Sequence, residues 1–153
     1  MAMRWFTGLA SGALAFGLTS PVSAFEPVIQ FIVSDPSKPS ISGTTNLPDG
    51  TPLMITILVP REDSMNPSRT IYPVMGQSAV GVRGGHFTAG PFTNDGSPYD
   101  RGTYIVSVVI SLGALPDNVK PILGETGQKL GGPNVKAGLF GPEFEIRKSF
   151  EVR

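Results

Sequence analysis

Apolar residues along this chain recur at every second position over short stretches, and turn residues separate those stretches. Leu53, Ile55, Ile57 and Val59 share one face of a predicted strand at 52–60, with Met54, Thr56 and Leu58 on the other. Such a two-sided, mostly apolar strand belongs to a sheet covered on at least one face. The stretch 102–111 alternates more cleanly, with Tyr104, Val106, Val108 and Ile110 on one side. The last stretch, 144–153, turns Phe144, Ile146, Phe150 and Val152 inward and its charges outward, and Lys148 is the one residue that breaks its pattern. Further strands are predicted at 27–35, at 40–46, at 69–75 where Pro73 implies an edge, and as a glycine-broken hairpin at 79–92. Residues 60–68 read as a polar loop with two prolines, and no helix-period stripe of useful length appears. About seven or eight short strands punctuated by turns predict an all-β fold, a single antiparallel β-sandwich.

Pro48-Asp49-Gly50 marks the sharpest of these turns. Proline presets φ for the second position of a type I turn, aspartate tolerates the third, and glycine closes it. A tight turn here pairs the strands at 40–46 and 52–60 in one sheet.

One segment exceeds what a sandwich needs. Residues 112–142 separate the last two predicted strands, and connections longer than about 12–15 residues are usually functional or disordered. Leu115, Val119, Ile122, Leu123, Leu130, Val135, Leu139 and Phe140 are too many apolar residues for a solvated linker. Asp117 is placed to cap a single helical turn, while Pro121 and Gly124 prevent a long helix. The expectation is a partly ordered flap lying on the sandwich. It either covers a sheet edge or presents Lys120, Glu125, Gln128 and Lys129 to a partner.

The N-terminus changes the picture by fixing a compartment. Arg4 precedes a short apolar run from Trp5 to Leu18, and Val22-Ser23-Ala24 places small residues at the two recognition positions. Residues 1–24 therefore read as a secretory signal peptide cleaved between Ala24 and Phe25, too short and glycine-rich for a membrane anchor. That leaves 25–153 as one domain, exported to the periplasm or the medium. A domain of this size buries roughly two-thirds of its surface, so the absence of cysteine in an oxidising compartment is tolerable. Loss of Arg4 leaves eleven basic residues against twelve acidic ones, with no basic run, which argues against nucleic acid or an anionic membrane as partner.

Candidate chemistry is sparse. His86 is the only histidine, there is no cysteine, and no G-x-S-x-G elbow occurs. Zinc has too few ligands. Asn94, Asp95 and Asp100 offer oxygen ligands without calcium-loop spacing, and Met54, Met65, Met75 and His86 are soft ligands whose convergence the sequence does not establish. No cofactor is expected.

Asp100-x-Gly102-x-Tyr104 resembles the tyrosine corner of immunoglobulin-like domains, in which a phenol at the start of strand F bonds back to upstream backbone. Val106 stands where antibody domains carry their second cysteine, and the only tryptophan, Trp5, lies in the leader. The resemblance is thus to disulfide-free secreted bacterial immunoglobulin-like or fibronectin type III-like domains. It implies second and third strands in different sheets, against the pairing that a tight turn at 47–50 favours. The reading is a noncatalytic interaction or accessory module of the cell envelope whose partner is another envelope or extracellular protein. The alternative is a periplasmic protein that binds a small ligand or metal, and an enzyme using His86 ranks third.

Overall fold

The alternating stretches do become strands in the computed structural model, which describes residues 23–153. In chain order the strands are β1 (Ile29–Ser34), β2 (Ser40–Thr45), β3 (Pro52–Leu58), β4 (Arg61–Asp63), β5 (Asn66–Ile71), β6 (Val74–Gly81), β7 (His86–Ala89), β8 (Gly102–Ile110), β9 (Val135–Gly138) and β10 (Gly141–Val152). One layer has the order β1-β2-β7, the other β6-β3-β8-β10-β9, and β4-β5 form a separate hairpin. All strand pairs are antiparallel. This is an all-β sandwich. No helix among the described residues is long and apolar enough to cross a membrane.

Period two decides what is buried. Ile29, Phe31, Ile41, Phe87 and Ala89 face inward from the first layer, and Leu53, Ile55, Ile57, Tyr104, Val106, Val108 and Ile110 from the second. Gly43 pairs with Phe31 on one side and Phe87 on the other. A Cβ there would lie 2.5 Å from Phe87 Cζ, so the missing side chain is what lets the phenylalanine ring settle over β2.

Six expectations are revised. The turn at 48–51 does not pair its flanking strands, because β2 and β3 lie in different layers. Thr51 N donates to Pro48 O at 3.1 Å, so the turn starts at Pro48, and Gly50, with φ 85°, takes the third position. Its backbone bonds run instead to the β6–β7 connection: Gly50 N to Val82 O at 2.8 Å and Val82 N to Thr51 O at 3.0 Å. Residues 60–68 are not a loop but contain β4 and the start of β5, turned by Asp63, whose carboxylate accepts from Met65 N at 2.9 Å. Pro73 falls between β5 and β6 rather than within an edge strand. The stretch 79–92 is not a hairpin, since β6 and β7 belong to different layers. Inside 112–142 the helical turn α1 (Lys120–Leu123) carries Pro121 near its start, where a missing N–H is harmless, but Asp117 does not cap it.

Lys148 also finds its reason. It stands on the core-facing side of β10, opposite Val106, on the half of that strand that β9 does not reach. The edge of β1 is likewise unpaired on this side. Lys148 Nζ donates to Phe31 O at 3.4 Å and lies 5.9 Å from the centre of the Phe31 ring, bridging the two open edges. An inward-pointing lysine is a recognised guard against edge-to-edge pairing.

Candidate functional site

The 112–142 segment is built into the sandwich. Leu115, Val119, Leu123 and Leu130 are buried in the core, and β9 extends the five-stranded layer. Phe25, the first residue after the predicted cleavage point, holds the segment from the other side. Its N donates to Lys129 O at 2.7 Å, and its carbonyl accepts from Gly131 N at 2.9 Å. The turn at 48–51 supplies a third anchor: Asn118 Nδ2 donates to Asp49 O at 2.8 Å, while Asp49 Oδ1 accepts from Gly84 N at 2.8 Å. Asp49 thus ties the layer crossing to the flap, while Pro48 and Gly50 shape the turn that presents it.

With Leu115, Val119, Leu123 and Leu130 turned in, the flap turns several polar side chains out together. Lys120, Glu125, Gln128 and Lys129 line one depression of about 400 Å³, joined by Asp117. Lys120 Nζ donates to Asp117 Oδ1 at 3.1 Å and lies 3.7 Å from Glu125 Oε2. The hydrogen bond to Asp117 first, then the charges of Asp117 and Glu125, hold the Lys120 ammonium above its ordinary pKa. Lys129 Nζ donates to Pro121 O at 2.8 Å, and Gln128 Oε1 accepts from Thr126 N at 2.8 Å. The backbone then bends back on α1 through Lys129 N to Leu123 O at 2.9 Å. The result is a braced polar rim of mixed charge whose carboxylates stay open to solvent: Asp117 is 99% exposed and Glu125 73%.

The corner residues lie at the opposite end of β8. Gly102 opens that strand, and Tyr104, buried, donates from Oη to Asp100 O at 3.0 Å. Tyr104 stacks on Tyr99 with ring centres 5.1 Å apart and on Phe150 at 5.6 Å. Tyr99 in turn donates to Met75 O at 3.3 Å. Burial first, then the neighbouring Asp100 charge, pushes the Tyr104 phenol above its ordinary pKa. For Tyr99 the causes are burial and Tyr104.

The candidate metal ligands do not converge. Met65 is 94% exposed at the β4–β5 tip, Met54 faces away from the core on β3, and His86 stands on the outer face of the other layer. Asn94 and Ser97 close a small turn on each other through two 2.9 Å backbone bonds. Among the described residues no group of three or more histidine, cysteine or acidic side chains is placed to hold a metal ion. His86 instead joins Gln30, Ser42, Thr44 and Thr88 around a depression of about 490 Å³ on the outer face of the three-stranded layer.

A second polar feature escaped the alternation pattern. Gln77, Thr56, Ser107 and Arg147 sit in register across β6, β3, β8 and β10, on the outward face. Ser107 Oγ donates to Glu145 Oε1 at 2.6 Å, and Arg147 Nε donates to the same oxygen at 2.7 Å. Burial alone raises the Glu145 pKa, but these bonds together with the Arg147 and Lys136 charges outweigh it and leave the carboxyl below its ordinary value. Arg147 also lies over Tyr72, 5.6 Å from the ring centre. Cross-strand register, which depends on bulges and turns, is the signal that finds this row.

The chain matches no protein-family model, no curated protein and no solved structure at a significant level.

Proposed function

We propose that the chain is an exported, noncatalytic β-sandwich module of the cell envelope that docks another protein through its flap. The observation that carries this reading is the convergence of Lys120, Glu125, Gln128 and Lys129 on one depression, above side chains buried in the core. A surface braced before binding loses little freedom on binding, which favours affinity. Its mixed, exposed charges suit the rim of a protein interface, where they steer encounter and select partners.

The immunoglobulin-like reading has two supports. The orders β1-β2-β7 and β6-β3-β8-β10 correspond to the A-B-E and C′-C-F-G layers of such sandwiches. The Tyr104–Asp100 bond has the form of their tyrosine corner. Export rests on the leader-like residues 1–24, which fall outside the described residues from Met1 to Val22. It is consistent with a fold that needs no disulfide. A photocrosslinking residue placed at Gln128 in the exported protein tests the docking face. Crosslinks should form there and not at Ser149, on the far side of the five-stranded layer.

The depression around His86 favours a second reading, a small polar ligand. None of the side chains of Gln30, Ser42, Thr44, His86 and Thr88 makes a hydrogen bond among the described residues, so their donors and acceptors face solvent. A rise in melting temperature with a particular sugar or ion, abolished by His86→Ala, would favour that reading over the first.

A further inference from the structure

Gly138 pairs with Gly141 across β9 and β10, which leaves Leu139 and Phe140 as a two-residue turn. They are 88% and 93% exposed. Two-residue hairpin turns favour glycine, asparagine and aspartate, so turn chemistry does not ask for two large apolar side chains here. Beside the tip lies a depression of about 360 Å³ lined mostly by apolar residues, Val109, Ile110, Leu112, Gly113 and Pro142, with Thr126, Glu143 and Phe140 also in its wall. It exists because β8 ends at Ile110 and the chain leaves in a short 3-10 turn, Leu112–Ala114, whereas β10 meets β8 only from Glu145 onward. The strand ends part and leave an apolar gap.

We propose that this end of the sandwich is a self-association surface: the Leu139–Phe140 tip of one copy enters the Val109–Leu112–Pro142 depression of a second. An apolar projection next to an apolar recess on the same chain meets the requirement of a two-fold interface, in which each copy offers both halves. The area is sufficient. A phenylalanine buries about 150–250 Å², so two tips and two recesses together bury on the order of 1,000 Å², the threshold for a specific interface. Charge favours a second copy over a lipid surface. The strands flanking the tip carry Lys136 opposite Glu143, and the exported domain has eleven basic residues against twelve acidic ones, so two copies repel little and anionic lipid gains no attraction. The surface is separate from the flap depression and does not depend on the docking reading.

Sedimentation equilibrium of the purified exported protein tests this. The wild type should show a monomer–dimer equilibrium. Leu139→Ser with Phe140→Ser removes the tip. Gly113→Trp fills the recess, where a Cβ at Gly113 meets no heavy atom within 4 Å. Each variant should keep the wild-type melting temperature and weaken the dimer by at least about tenfold, the lower range for losing a buried aromatic anchor. Mixed together, the two variants should associate more tightly than either alone, because one tip and one recess survive. A wild type that stays monomeric at high micromolar concentration overturns the proposal. So does a dimer that ignores both variants, or a monomer that binds phosphatidylglycerol vesicles through the tip.

Discussion

Lys148 Nζ reaches the carbonyl oxygen of Phe31 at 3.4 Å, joining the free edge of one layer to the free edge of the other. The contact explains why a cation occupies a core-facing position on β10. It spans the gap between Ile29–Phe31 and Ile146–Lys148 and hinders another strand from adding there. Lys148→Val should therefore leave the melting temperature close to wild type. It should also raise concentration-dependent aggregation, read as light scattering after mild heating. Unchanged scattering would mean that the edge is protected by something else.

Tyr104 supports the layer arrangement from inside. Tyr104→Phe deletes the donor to Asp100 O but keeps the ring stacked between Tyr99 and Phe150. The expected cost is about 0.5–1.5 kcal/mol in urea denaturation, with the denaturant slope unchanged.

The same pair sets an alkaline limit. Both phenols titrate above their ordinary value of 10.0 in the folded chain. A raised folded pKa means that the folded state holds its protons longer, so this contribution is whole below pH 10.0 and is lost as pH rises through the folded values. Melting temperature should therefore fall as pH rises above 10.0, the ordinary tyrosine value, and less steeply in Tyr99→Phe with Tyr104→Phe. An identical slope in the double variant would assign the loss to other groups.

Gly43 gives the clearest test of packing. Gly43→Ala drives a methyl group into the Phe87 ring and the Gln30 carbonyl. Overpacking of this kind costs about 1–3 kcal/mol, measured by chemical denaturation, and Phe87→Leu in the same chain should recover part of it.

Much of this architecture is legible in the chain. The inward faces of β3, β8 and β10 follow from strict period two, because each has one face buried against the opposite layer. The β2–β3 crossing is not legible from Pro48-Asp49-Gly50, since the partner that decides it, Val82, is distant in sequence. Nor is β9: Val135–Gly138 is four residues long and gains its form from pairing with β10. Lys120, Glu125, Gln128 and Lys129 stand out as polar residues in a long apolar insertion. Their convergence, and the place of Asp117 among them, depends on α1 and on the bend that returns Lys129 to Leu123. The outward row from Gln77 to Arg147 needs the register of four strands, which only the folded sheet supplies.

The central claim is that the flap docks a partner protein. Crosslinked capture from the native compartment, comparing the wild type with Lys120→Glu plus Lys129→Glu, tests it most directly. Reversal removes the Lys120–Asp117 and Lys129–Pro121 bonds but should lower the melting temperature only slightly, because both act at a solvated rim. It should also sharply reduce the captured partner, with the loss growing at low ionic strength. Equal capture by both proteins, with 112–142 as protected from hydrogen exchange as the strands, would contradict the account and make the segment a structural cover.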